Sequence, residues 1–394
     1  MKKIEEKKFR NKYGYFTSDG AEYVIYNPKT PRPWINVNCN ENYGYIVSQT
    51  GGGFSWYGNS QLARLNVWHQ DLIRDDHGKY FYIRDNKSKK IWSTTWKPTC
   101  FKYKNYEARY GLGYTKFTSI FNDVKTEQLM FVPRADACEI YQIKFTNQSR
   151  SVKDLSIFSY LEWCLGNGTD THREFQKTFI ETKIDRKLGA VLAKKRAALV
   201  PGFISTGAKD SPLSAFVALV NKKPSGYDGD KETFLGMYGS LEIPQAVKRG
   251  KISNRREIEK WGDACAALQG NLVIKPGQTK QLIFVIGRVK DFSEARKYIR
   301  KYSKQSSIQN ELQKVKKFWE KITTASWIKT PDEAMDFLTN KWYRYQALTA
   351  RMWARSAYYQ CSGGVGYRDQ LQDSNCFLES DPEITKKQIL MPYI

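Results

Sequence analysis

Arg368, Asp369, Gln372 and Asp373 crowd into one short stretch near the C-terminal end of the sequence. Arginine presents a planar fork of donors, and carboxylates and amides present fixed acceptors. That inventory suits a ligand bearing several hydroxyl groups, such as a sugar. Tyr359 and Tyr367 add aromatic rings beside it. Gly363 to Gly366 precede the cluster and read as a bend that delivers the polar residues together. Taken alone, the bend could equally be a helix C-cap and turn.

A long amphipathic helix must feed that bend. Met335, Leu338, Trp342, Tyr345, Leu348 and Met352 recur at spacings of three and four, and the helix is expected to run to about Tyr358. Thr330-Pro-Asp-Glu333 reads as its start, with Thr330 as N-cap, Pro331 at the first helical position and Glu333 completing a capping box. Two helices are expected upstream. Phe292, Ala295, Tyr298, Ile299 and Tyr302 line one face of the first; Leu312, Val315, Phe318 and Trp319 line the second.

Residues 13 to about 287 have a different character. Short β-branched and aromatic runs include Tyr43 to Val47, Tyr80 to Ile83, Glu127 to Val132, Leu155 to Leu161 and Gln281 to Gly287. Turn signals such as Asn27-Pro28 and Lys275-Pro-Gly277 separate them. Glu139 to Phe145 alternates polar and apolar residues, the pattern of a half-buried strand. Many short strands over this length predict a large antiparallel sandwich.

The aromatic fraction of 14% fits sheet cores, carbohydrate platforms, or both. A net charge of +24 raises the question of nucleic acid. The Lys and Arg are spread along the chain without a zinc-finger spacing or a basic tail, so a nucleic-acid partner is not expected. Seven scattered Cys with no Cys-x-x-Cys pair read as reduced thiols of a cytoplasmic protein. The three His are too dispersed for a metal site, and no apolar run is long enough to span a membrane.

Six segments occur in a fixed order: Pro33-Trp-Ile-Asn36, Gly51-Gly-Gly-Phe-Ser55, Tyr106-Glu-Ala-Arg-Tyr-Gly-Leu-Gly-Tyr-Thr115, Phe131-Val-Pro133, Leu161-Glu-Trp-Cys164 and Gly364-Val-Gly-Tyr-Arg-Asp-Gln-Leu-Gln-Asp373. The sequence thereby resembles glycoside hydrolase family 94, the inverting disaccharide phosphorylases, from about Tyr13 onward. The resemblance implies a multidomain β plus α chain: an N-terminal antiparallel β-supersandwich (1–287), a helical linker (288–328) and the start of an (α/α)6 catalytic barrel (329–394). It implies phosphorolysis of a β-glucosidic disaccharide or oligosaccharide to α-glucose 1-phosphate and a shortened acceptor. Inorganic phosphate is the co-substrate, no other cofactor or metal is needed, and the working form is a homodimer.

The same resemblance implies the site. Asp369 matches the Asp that binds hydroxyls of the donor glucosyl ring, and Arg355 matches an Arg lining the same subsite. Arg368 contacts the ligand or clamps its neighbours. Gln372 and Asp373 brace the loop or touch sugar. The general acid is expected beyond Ile394, so no residue here is assigned a catalytic role. Gly363 stands where cellobiose phosphorylases carry an Arg, and the segment from Arg355 to Asp369 is shorter. Both departures point away from cellobiose, and the form of the segment Gln360-Cys-Ser-Gly-Gly-Val-Gly-Tyr-Arg-Asp-Gln-Leu-Gln-Asp373 is more similar to the β-1,2-glucan and cellobionic-acid branches. Gly51 to Ser55 is either a loop that crosses a dimer to the partner's site or an internal turn. Arg109 with Glu107 reads as a structural ion pair. The alternative to an enzyme is a non-catalytic carbohydrate-binding or dimerisation sandwich.

Overall fold

The computed structural model describes residues 6–166, 174–195, 214–252, 257–258, 262–364 and 366–391. Its N-terminal part is two packed antiparallel sheets. The first is ten-stranded, in the spatial order Gly14–Phe16, Glu22–Ile25, Asn105–Gly111, Tyr114–Phe121, Val124–Phe131, Cys138–Asn147, Thr279–Val289, Ser214–Leu219, Ala190–Lys195 and Ile180–Asp185. The second is nine-stranded. Gly226–Asp230, Ala264–Ile274, Lys153–Gly166, Arg64–Asn66, Gly53–Tyr57, Tyr43–Ser48 and Ile35–Cys39 follow one another, while Tyr80–Asp85 pairs with Lys153–Gly166 and carries Ile91–Ser93.

Local chemistry accounts for the pattern. In Val124–Phe131, Val124, Thr126, Gln128 and Met130 are buried while Lys125, Glu127 and Leu129 between them are half-open, the period of two that a pleated strand imposes. Asn122 and Asp123 both adopt positive φ (49° and 58°), as a two-residue hairpin turn requires. Between the sheets, the Phe81 ring lies 5.0 Å from Tyr141 and 4.9 Å from Phe284, centroid to centroid. The expected strands are all present.

Cys138–Asn147 departs from expectation. It is not half-buried: from Cys138 to Phe145 only Lys144 is exposed. The helix Phe292–Tyr302 covers part of the outer face of this sheet, stacking Tyr298 on Phe216. Glu139, although polar, is fully buried between the sheets.

Phe292–Tyr302 is capped by Asp291, which accepts hydrogen bonds from the Ser293 and Glu294 amides at 2.7 and 3.1 Å. Ala295, Ile299 and Tyr302 form its buried face, and Ile308, Val315, Trp319 and Ile322 that of Gln305–Thr324. The next helical run spans 333–353. Asp332 caps it, not Thr330; the Asp332 carboxylate accepts from the Ala334 amide at 2.9 Å. Thr330 instead receives the Asp332 amide and donates to Asp336. Two stretches, Leu338–Trp342 and Ala347–Trp353, are wound as π-helix. The run ends at Trp353, short of the expected Tyr358, because Arg355 takes a left-handed φ of 48°. Met335, expected on the buried face, is exposed.

Candidate active site

The stretch after Trp353 is docked onto the sandwich before it reaches the polar cluster. Ala354 and Tyr358 enter an apolar cluster with Val37, Ile46, Phe54 and Trp68. Gln70 donates to the Tyr358 carbonyl at 2.6 Å, Arg64 to the Cys361 carbonyl at 3.3 Å, and Asn59 to the Gly363 carbonyl at 3.0 Å. Gly363 has φ 56°, and a Cβ there would stand 2.3 Å from the Asn59 amide oxygen. Glycine suits this position, because the left-handed backbone disfavours a side chain and a Cβ would displace the Asn59 amide. Asn59, Arg64 and Gln70 drew no attention in the sequence. Each reaches a backbone carbonyl roughly three hundred positions further along the chain.

Gly51 to Ser55 is an internal turn and strand, not a projecting loop. The Gly51 amide bonds the Ser48 carbonyl at 3.0 Å, and all three glycines are buried. The buried Asp75 holds this turn. It accepts from Ser48 Oγ and Thr50 Oγ1 at 2.6 Å each and from the Tyr358 hydroxyl at 3.2 Å. Burial raises its carboxyl above the usual aspartate range.

His77 stands beside this turn, and its carbonyl accepts the Gly53 amide at 2.8 Å. Burial, reinforced by His69, pulls the His77 pKa down to about 4, and its Nδ1 has no hydrogen-bond partner among the described residues. A depressed pKa stabilises the fold above the unfolded value and loses that contribution as pH falls toward the folded one. We expect about 2 kcal/mol to be lost between pH 7 and pH 4.5, after allowance for solvent screening. Urea titrations of wild type and His77→Phe test this: the variant should lose less over that interval, and equal losses would exclude His77 as the source.

Several resemblance-carrying segments converge on the joint between sandwich and helices. Asn36 donates to the Gly111 and Tyr114 carbonyls and to Thr115 Oγ1, each at 3.1 Å. The Tyr345 hydroxyl reaches the Val37 carbonyl at 2.7 Å and Asn36 Oδ1 at 3.0 Å. Gly113 has φ 82°, and a Cβ there would lie 2.3 Å from the indole nitrogen of Trp319. Arg109 pairs with Glu107 at 2.9 Å and Glu22 at 2.6 Å, fastening neighbouring strands. These residues position the helices; they do not carry chemistry. Tyr345→Phe should cost about 1–2 kcal/mol, because a buried carbonyl loses its donor. A urea midpoint unchanged from wild type would show that this contact does not latch the joint.

The helix Tyr367–Ser374 then presents the cluster. Arg368, Asp369 and Gln372 are exposed and have no side-chain hydrogen bond or ion pair among the described residues. Asp369 lies in the first turn, where the positive helix end favours a carboxylate. Asp373 turns the other way and pairs with Arg351 at 2.7 Å. Gln370, missed in the sequence, donates to the Arg351 carbonyl at 3.1 Å. Arg355 stands apart: its Nη2 lies 3.8 Å from the Met391 sulfur, and its buried Nε has no partner among the described residues. Burial lowers its pKa. The helix thus offers a donor fork, a carboxylate and an amide to solvent while Asp373 anchors it.

The sequence matches the description "Glycosyl hydrolase 94, supersandwich domain" over residues 21–305 and "Glycosyl hydrolase 94 superfamily, catalytic domain" over residues 318–393. The chain belongs to glycoside hydrolase family 94. Among relatives of this family 94 chain, the cyclic β-(1,2)-glucan synthase NdvB of Rhizobium meliloti is 32% identical over 97% of this chain and 13% of its own length. The N,N'-diacetylchitobiose phosphorylase of Vibrio proteolyticus is 29% identical over 96% of this chain and 46% of its own. The chain therefore spans less than half the length of these relatives. A putative kojibiose phosphorylase from the human microbiome has the same fold, with a TM-score of 0.59 at 12% identity over 99% of this chain and 50% of that one.

Proposed function

We propose that this chain is the donor-sugar half of an inverting phosphorylase that cleaves a β-glucosidic disaccharide or oligosaccharide. The observation that carries the reading is the open cluster of Arg368, Asp369 and Gln372 on an anchored helix, inside the segment matching the family's catalytic domain. Phosphate attacks the anomeric carbon from the face opposite the glycosidic oxygen. The bond to that oxygen breaks, a carboxylic acid protonates it, and α-glucose 1-phosphate leaves with a shortened acceptor. Phosphate is itself the nucleophile, so the second carboxylate that activates water in an inverting hydrolase is not needed.

In this reading Asp369 accepts hydrogen bonds from hydroxyls of the donor ring. Arg368 and Gln372 flank it, Arg355 is assigned to the same subsite by the family resemblance, and Asp373 braces the helix through Arg351. The helices from Glu333 onward open an (α/α)6 barrel after a linker spanning 288–328. The general acid lies beyond Ile394, and the working form is a cytoplasmic homodimer with phosphate as co-substrate and no cofactor. Similarity to a protein named for cyclic β-(1,2)-glucan supports a β-1,2-linked substrate over cellobiose.

Release of glucose 1-phosphate from sophorose, laminaribiose, cellobiose and longer β-1,2-glucans tests the proposal. It should appear with phosphate for a polypeptide extended through the length of the phosphorylase relatives, and not for residues 1–394 alone. Robust release by residues 1–394 would sink the placement of the acid. No release from any of these glycans by the extended polypeptide would sink the reaction.

A further inference from the structure

We propose that the sandwich carries a second binding site, remote in sequence from the polar cluster, for a sugar bearing an anionic group. It occupies a cavity of about 640 Å³ on the outer face of the nine-stranded sheet. On that face the strands Tyr80–Asp85, Lys153–Gly166 and Ala264–Ile274 lie side by side in a fixed register. Tyr82, Phe158 and Gln269 form one cross-strand row. Arg84, Ser156 and Asn271 form the next. The aromatic end of the face is roofed by the short helices Lys231–Leu235 and Gln245–Arg249, through Phe234, Leu235, Ala246 and Val247. The roof ends at Gly250, where the chain turns at φ 84°. Beyond it the face becomes polar and opens into the cavity.

Three observations define the ligand. First, Arg84 is only 7% exposed, yet its Nε has no hydrogen-bond partner among the described residues. Its Nη1 is fixed by Asn86 at 2.7 Å, and a Cβ at Gly250 would press within 2.7 Å of that same nitrogen. A buried guanidinium donor left open is costly unless an acceptor arrives. Second, Lys89, Arg249 and Lys251 join Arg84 in lining the cavity, and among the described residues no carboxylate does. The field selects an anion. Third, Ser156, Gln269 and Asn271 supply hydroxyl and amide groups, and among the described residues no aromatic ring lines the space. The volume falls in the range of small-molecule sites, well above the size of a bare phosphate. Stacking of a neutral sugar has no platform here. A hexose with a phosphate or carboxylate satisfies the charge, the open donor and the volume together.

Calorimetric titration of the full chain with glucose 6-phosphate, at low ionic strength, tests the site. Binding should exceed that of inorganic phosphate and of glucose at least tenfold. It should weaken at least tenfold in Arg84→Met and in the double variant Arg249→Ala/Lys251→Ala, and persist in Asp369→Ala. The double variant alters exposed rim residues, so it remains informative should Arg84→Met fail to fold. The proposal is overturned by inorganic phosphate binding as tightly as the sugar phosphate, by wild-type affinity in the folded rim variant, or by no binding up to about 10 mM, the range below which even weak specific sites register.

Discussion

Asp369→Ala is expected to lower kcat/KM for phosphorolysis by about 10²- to 10⁴-fold in the polypeptide carrying the complete catalytic domain. The carboxylate is exposed and uncommitted to any described protein group, so its acceptors are open to ring hydroxyls. Two hydrogen bonds to a charged group are worth about 1.5–3 kcal/mol each, and each 1.4 kcal/mol is tenfold. Stability should change little, since the substitution removes only a favourable carboxylate from the first turn of Tyr367–Ser374, worth about 0.3–1 kcal/mol. Asp373→Ala supplies the contrast. It breaks the ion pair with Arg351, whose side chain is 53% exposed, so the loss is about 0–1 kcal/mol, with a small effect on rate. Steady-state kinetics and urea midpoints for both variants decide the matter. Comparable rate losses in the two would end the distinction between a sugar-binding Asp369 and a bracing Asp373.

That distinction was only partly legible in the sequence. Arg368, Asp369, Gln372 and Asp373 share a short stretch, which reveals a cluster but not which members stay free. Helical geometry decides it by sending Asp373 back onto Arg351. The strands were legible because alternation and β-branching act locally, and the two linker helices because their apolar faces repeat at helical spacing. The differences arise where a specific contact, near in sequence at Thr330 and distant after Trp353, overrides the general pattern. Thr330 has the composition of a cap, yet Asp332 takes the role while Thr330 bonds Asp336. The helix ends at Trp353, ahead of the left-handed Arg355, and the residues that follow are tied to Gln70, Arg64 and Asn59 across the joint. Nothing between positions 353 and 358 signals that stop. The ordered segments were informative about kinship, but many of their residues, such as Asn36 and Gly113, hold the joint rather than a ligand.

Glu139→Leu should destabilise the sandwich by about 3–5 kcal/mol, the cost of leaving a buried partner charge uncompensated. Glu139 faces inward from the ten-stranded sheet and is fully buried. Lys79, just ahead of Tyr80–Asp85 in the other sheet, meets its carboxylate at 2.7 and 2.9 Å. Ser55 donates to the same carboxylate at 2.7 Å, and the hydroxyls of Tyr43 and Tyr141 approach at 3.2 and 3.1 Å. Burial pulls the Lys79 pKa down, opposed by Glu139, so the lysine depends on that one carboxylate to remain an ammonium. The double variant Lys79→Met/Glu139→Leu should be more stable than Glu139→Leu alone, because no unpaired charge remains. It should not fully match wild type, since Ser55, Tyr43 and Tyr141 would still lose an acceptor. Urea unfolding of the singles and the double measures the coupling. A Glu139→Leu loss below about 1 kcal/mol would mean that Lys79 sheds its proton or finds water, and that apolar packing alone registers the two sheets. A large loss recovered in the double would instead make the pair a device of register. Its polar groups are satisfied only when Ser55, Lys79 and Glu139 align, which fixes how the sheet bearing the Gly51 turn sits beneath the helices that present Asp369.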